Sequence, residues 1–189
     1  DNRKNIWIAT SNGINCIDYK TKKITRFYPK SINKECTTNI INRLLKHSDG
    51  NVYAFCNRSV FKCSMNQTVE TVFPDIAIPS PTYSVAQAPD KDIYIGTESN
   101  GLYIYSENWK LKKHVPIDGI IATILPDNNG DIWLGLDETG ICLFNKNKQT
   151  FTWLHKDNTN LNNNSIRTFV SYGDSSIPVS YTHLTLPTI

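Results

Sequence analysis

One segment of this chain occurs four times, and that repetition restricts its fold more than any other feature. "IWIATSNGINCIDYKTKKITRFY" begins at Ile6, "VYAFCNRSVFKCSMNQTVETVF" at Val52, "IYIGTESNGLYIYSENWKLKKHV" at Ile93 and "IWLGLDETGICLFNKNKQTFTWL" at Ile132, spaced by 46, 41 and 39 residues. Self-similarity at such a period marks one supersecondary unit used repeatedly. Each copy reads apolar run, polar turn, apolar run, polar turn, then a third run ending on an aromatic or Val: Phe27 and Tyr28, Phe73, Val115, Trp153. Upstream of the later copies lies a fourth run, at residues 40–45, 83–86 and 120–125.

The local chemistry makes these runs strands. In "DNNGDIWLGLDETGICLF", Asp127, Asn128, Asn129 and Gly130 bend the chain, because Asp and Asn bond to nearby backbone and Gly accepts positive φ. Residues 132–136 are apolar, aromatic and β-branched, and too few for a helix. Residues 137–140 then turn the chain, with Gly140 where a tight hairpin needs a permissive residue, and 141–144 return as the next strand. The second copy has Arg58 and Ser59 in place of its hairpin glycine.

Four-stranded units at this spacing predict an all-β fold: a β-propeller fragment of about four four-stranded blades belonging to a larger propeller. Runs such as "IWI", "IYI" and "IWL" are apolar at successive positions, so both faces of each sheet must be covered, as they are between two neighbouring blades. A β-sandwich has similar turns but does not require repeats. The repeats occupy residues 1–174, with hairpins starting near 6, 52, 93 and 132 and a partial next unit at 165–174.

The two ends carry their own information. "DNRKNIW" aligns with the turn and second strand of a unit, so the first strand of that unit is missing. Near the other end, "NNNSIRTFVSYGD" resembles "TTNIINRLLKHSDG", a first strand and its turn, and "PVSYTHLTLPT" follows instead of a hairpin. That tail resembles a translated sequencing adapter, and residues 175–189 are set aside as non-native; the alternative is a natural coil or edge strand. Pairing the first three strands with the last would close a ring of four, whereas an open arc of a larger ring leaves raw edges. The open arc is the favoured reading.

Composition excludes several functions. With 39% hydrophobic residues the chain can bury a core. Its 20 Lys plus Arg against 17 Asp plus Glu give a net +3 without a basic run, so nothing argues for nucleic acid. No stretch approaches the roughly 18 apolar residues of a membrane span. Five cysteines lack metal-ligand spacing and read as small buried hydrophobes; no metal and no cofactor is expected. His47, His114 and His155 are separated by whole units, and no phosphate loop, nucleophile elbow or paired-carboxylate motif occurs, so no catalytic residue is assigned. Trp7, Tyr53, Tyr94 and Trp133 recur at the second position of the second strand and read as core between blades.

The pattern carried by "NSIR" at 164–167, "DGNVY" at 49–53, "IYIGTESNGLYIY" at 93–105 and "GDIWLGLDETGICLF" at 130–144 resembles the two-component regulator propeller repeat of Bacteroidetes hybrid two-component sensors. The departures are Lys4 and Lys91 at the turn glycine and the altered hairpin of the second copy. The resemblance implies seven-bladed propellers in the periplasm, part of an inner-membrane protein. A membrane helix, histidine kinase, receiver and DNA-binding region would lie elsewhere in the parent chain. It further implies an oligosaccharide ligand, a homodimer in the full-length protein, and no enzyme activity in this segment. The alternatives are a propeller scaffold for protein partners and a propeller lyase or hydrolase. On common propeller geometry, loops between second and third strands share a face with loops between units. That places Asn12, Arg58, Glu98 and Asp137 on one rim with Tyr83 and His155, the candidate ligand-binding residues.

Overall fold

Turns at the repeat boundaries divide the computed structural model into sheets; it describes residues 1–33, 36–72, 78, 80–169 and 179–181. Strands β1 (Ile6–Thr10), β2 (Gly13–Ile17) and β3 (Ile24–Phe27) form a three-stranded sheet, followed by a single helical turn, α1 (Pro29–Ile32). Three four-stranded sheets follow. They comprise β4 (Arg43–Lys46), β5 (Val52–Cys56), β6 (Ser59–Cys63) and β7 (Val69–Thr71); then β8 (Thr82–Gln87), β9 (Ile93–Thr97), β10 (Leu102–Tyr105) and β11 (Leu111–Val115); then β12 (Ile121–Pro126), β13 (Ile132–Leu136), β14 (Gly140–Asn145) and β15 (Thr150–Leu154). Finally β16 (Ile166–Phe169) pairs with β17 (Val179–Tyr181). Every pairing is antiparallel between sequence neighbours, so each sheet is a meander, the blade of a β-propeller.

β1 pairs with β2 and β16 with β17, so the two ends do not complete one blade and the arc is open. Of the segment 175–189, set aside from sequence as non-native, only 179–181 fall among the described residues; Phe73 and residues 170–174 of the partial fifth unit also lie outside them.

Alternation along each strand sends its two sets of side chains to opposite neighbours. Val52, Ala54, Phe61 and Cys63 of the second blade pack on Trp7, Ile14 and Cys16 of the first. Tyr53, Phe55 and Val60 turn the other way, onto Ile93, Ile95, Tyr103 and Tyr105 of the third blade. Tyr94, Leu102 and Ile104 then meet Ile132, Leu134, Cys142 and Phe144 of the fourth. Of the periodic aromatics, Trp7, Tyr53 and Tyr94 are therefore core, as their spacing predicted, while Trp133 is half-buried against Ile141 and Ile166. The outer face of blade one has no such partner: Ile6 is 56% and Ile8 39% exposed, whereas their equivalents Ile93, Ile95, Ile132 and Leu134 are fully buried.

Tight turns at the other end of the strands are built from Asx side chains. The Asp127 carboxylate accepts the backbone N–H groups of Asn129 at 2.8 Å and Asp131 at 3.0 Å, and the Trp133 indole N–H at 3.1 Å. Asp1 repeats this for Arg3, Asn5 and Trp7 in blade one. Left-handed backbone is fixed at the same place in every turn, by Gly50 and Gly130 in two blades and by Lys4 (φ 67°) and Lys91 (φ 71°) in the others. The missing hairpin glycine of the second copy is likewise explained, because Asn57 (φ 53°) supplies the left-handed residue two positions before Ser59. Asn tolerates that conformation better than most residues. Asp127→Ala is expected to cost about 2 kcal/mol, since it removes three bonds to one charged acceptor, and urea unfolding of the variant checks it.

Candidate functional site

A meander places alternate turns at opposite ends of a blade. The β1–β2, β5–β6, β9–β10 and β13–β14 hairpins therefore emerge beside the described parts of the inter-blade connections, 28–33 and 36–42, 72, 78 and 80–81, 116–120 and 155–165. Backbone bonds stitch hairpin to connection. Gly13 N–H donates to Asn39 C=O at 2.9 Å, Thr82 N–H to Asn57 C=O at 3.2 Å, Glu98 N–H to Pro81 C=O at 3.0 Å and Asp137 N–H to Ile120 C=O at 3.0 Å. All six residues selected from sequence, Asn12, Arg58, Tyr83, Glu98, Asp137 and His155, lie at this end.

They do not converge on one point. The Asn12 side chain accepts from the Asn39 amide at 3.4 Å. The Asp137 carboxylate pairs with Arg167 of β16 at 3.1 Å, an inter-blade tie. His155 Nδ1 lies 2.8 Å from the Thr139 carbonyl, so the imidazole donates there, and its ring lies parallel to Trp153. Tyr83 is the bulge residue at the start of β8, between Thr82 and Ser84, and is half-buried. Glu98 is exposed at its turn. Three of the six, Asn12, Asp137 and His155, thus spend their side chains on neighbouring turns and blades.

Arg58 is different. It is exposed, and its guanidinium makes no hydrogen bond or ion pair among the described residues. It lines a cleft of about 460 Å³ together with Cys36, Thr37, Thr38, Cys56, Asn57, Ser59 and Pro81. One wall is the β5–β6 hairpin and the other the long 28–42 connection, with Pro81 arriving from the next connection. Hydroxyls, an amide and the Arg58 cation line it together, which suits a ligand rich in hydroxyl or carboxylate oxygens. Sequence reading found Arg58 through the hairpin alignment and missed Thr37, Thr38 and Ser59. The only signal for the first two was that the 28–42 connection is the longest between blades.

The opposite end holds a smaller cleft of about 250 Å³ lined by Arg3, Asn5, Asp18, Lys20, Met65, Asn66 and Gln67. Its polar groups already satisfy each other across the seam: Arg3 donates to Asn66 at 2.8 Å and Asn5 to the Met65 carbonyl at 3.3 Å. At the next seam His47, buried and parallel to Trp109 at 5.8 Å, hydrogen-bonds the Glu107 carbonyl at 3.1 Å. Beside it, burial opposes ionisation of Asp49, but bonds from Asn51, Tyr53 and His47 outweigh this and hold its carboxyl below the usual range. Among the described residues, no three His, Cys, Asp or Glu side chains are placed to hold a metal ion.

Fold and cleft together define an arc of a β-propeller carrying its polar groove among the blade connections. No family model matches the chain, and no curated protein matches it. Among solved structures, it superposes on the extracellular domain of a protein described as a hybrid two component system from B. thetaiotaomicron, with TM-score 0.75 and 18% identity over 95% of this chain and 25% of that one. A second such extracellular domain from the same organism gives TM-score 0.71 and 25% identity, covering 95% of this chain and 24% of that one. Virginiamycin B lyase from Staphylococcus aureus shares the fold at TM-score 0.70 and 17% identity, over 95% of this chain and 60% of that enzyme. The chain spans about a quarter of the sensor extracellular domains it matches.

Proposed function

We propose that this chain is part of the ligand-sensing region of an extracytoplasmic hybrid two-component sensor, and that it binds an oligosaccharide in the Arg58 cleft. The observation that carries this reading is the Arg58 guanidinium, unpaired among the described residues, beside Thr37, Thr38, Asn57 and Ser59 in a groove on the connection end of a propeller. Hydroxyls in such a groove can each donate and accept, as vicinal sugar hydroxyls do. Likeness to the extracellular domains of two sensors supports the same assignment. Tyr83 and His155 lie outside the cleft lining, so recognition here relies on polar contacts from Arg58 and its neighbours.

In this reading the segment is an arc of a seven-bladed propeller in the periplasm. The bare apolar face at Ile6 and Ile8 is the seat of another blade. Ligand occupancy would be read out through a homodimer to a histidine kinase in the same inner-membrane protein. The segment itself is assigned no catalysis. Three histidines among the described residues serve the blades: His47 and His155 hold backbone carbonyls, and His114 stacks on Tyr103 at 4.4 Å.

Titration calorimetry of the chain against a panel of neutral and acidic oligosaccharides tests this directly. Arg58→Ala should weaken binding at least about tenfold while leaving unfolding within about 0.5 kcal/mol of the parent, because the side chain is exposed and makes no bond among the described residues. Failure of the whole panel to bind, or binding indifferent to Arg58, would count against the cleft.

A further inference from the structure

Four of the five cysteines, Cys16, Cys36, Cys56 and Cys63, lie in the core between the first two blades, and the fifth, Cys142, in the core between the third and fourth. All are reduced in this structure. Cys36, in the 28–42 connection, and Cys56, at the end of β5, both line the Arg58 cleft, and each contacts the other's segment. Cys36 Sγ lies 3.4 Å from the Ser59 hydroxyl, and Ser59 is the residue directly opposite Cys56 in the β5–β6 ladder. Reciprocally, Cys56 Sγ lies 3.3 Å from the carbonyl of Thr38, two residues beyond Cys36. These crossed contacts bring both thiols to the same edge of the β5–β6 hairpin, with Ser59 touching Cys36 on one side and facing Cys56 on the other. Neither Cys16 nor Cys63 lines the cleft, and neither takes part in such a crossing.

We propose that Cys36 and Cys56 are a disulfide site that covalently fastens the 28–42 connection to the β5–β6 hairpin, beside the ligand cleft. The Cys36 thiolate attacks one sulfur of a disulfide-bearing oxidant and expels that oxidant's other half as a thiol. The Cys56 thiolate then attacks the Cys36 sulfur of the mixed disulfide and releases the second half. Two protons and two electrons pass from the pair to the oxidant, which is reduced to two thiols. The order follows from access: Cys36 is 9% exposed at the cleft, whereas Cys56 is 1% exposed and burial, with Cys36 alongside, pushes its thiol up to about 12. The bond would make one wall of the groove rigid. Its physiological oxidant rests on the extracytoplasmic reading of the chain, but the proximity that permits the bond does not.

Equilibrating the reduced, purified chain with glutathione disulfide, then alkylating it in denaturant, tests the site without any substitution. The expected outcome is a fall from five free thiols to three. A non-reducing peptide map should join the peptides carrying Cys36 and Cys56, and Tm should rise by about 5–10 °C, as expected for a closed loop of this length. Cys36→Ser and Cys56→Ser should each abolish that cross-link. Five thiols retained, a glutathione adduct that persists on one cysteine, or a map pairing Cys16 with Cys63 would overturn the proposal. The result is independent of oligosaccharide binding, so the disulfide and the sensor reading can fail separately.

Discussion

Phe144→Ala is expected to lower stability by roughly 3–5 kcal/mol, enough to leave the chain largely unfolded near its normal midpoint. Phe144 is 1% exposed, packs in the core joining the third and fourth blades, and stacks on Phe151 at a ring separation of 4.8 Å. Its ring is held within its own sheet and across the seam, so little can collapse into the space it leaves. Lys113 also places its ammonium 5.6 Å over the ring, which a leucine would not retain. Urea denaturation gives the loss directly. A change below about 1 kcal/mol would mean that this seam relaxes around a cavity, contrary to close packing.

Gly96→Val should be nearly as damaging, by overfilling instead of emptying. This glycine is in ordinary strand conformation, so what it provides is space. A Cβ there would meet the Ser84 hydroxyl and come within 2.6 Å of Ile121 Cγ2, from the first strand of the next blade. Gly135 repeats the arrangement with Ile166 Cγ2 at 2.6 Å. Overpacking of this kind costs about 1–3 kcal/mol, and the upper end is expected because the Ser84 hydroxyl also donates a buried 2.6 Å bond to the Ile121 carbonyl. A valine would push on both partners of that bond. Combining Gly96→Val with Ile121→Ala should recover part of the loss, since the two side chains compete for one space. Strict additivity would show that the clash lies elsewhere.

The same two glycines show how legibility divides. That "IYIGT" and "IWLGL" are strands follows from their composition and flanking turns, and the structure sets them at Ile93–Thr97 and Ile132–Leu136. Why position four is glycine could not be read, because the atom it makes room for comes from a strand about 25 to 31 residues later in the chain. The candidate site divides in the same way. Arg58 was found because it occupies a hairpin turn that the repeats align. Asp137 was selected on the same ground and His155 from the loop between units, and Arg167 and the Thr139 carbonyl engage them. Thr37, Thr38 and Pro81 belong to connections of unequal length, where the repeat gives no register, and only folding brings them to the β5–β6 hairpin.

The sequence by itself determined what is local and periodic: turn chemistry, strand length, the meander order within each blade, and the two apolar faces that require neighbouring sheets. Those properties depend on residues a few positions apart, and four copies state them redundantly. Tertiary structure alone decided which polar groups are consumed in stitching blades, and that Cys36, Cys56 and Arg58 border one groove. These depend on how neighbouring blades dock, through side chains separated by a whole unit or by an irregular connection. Packing, not pattern, sets their distances.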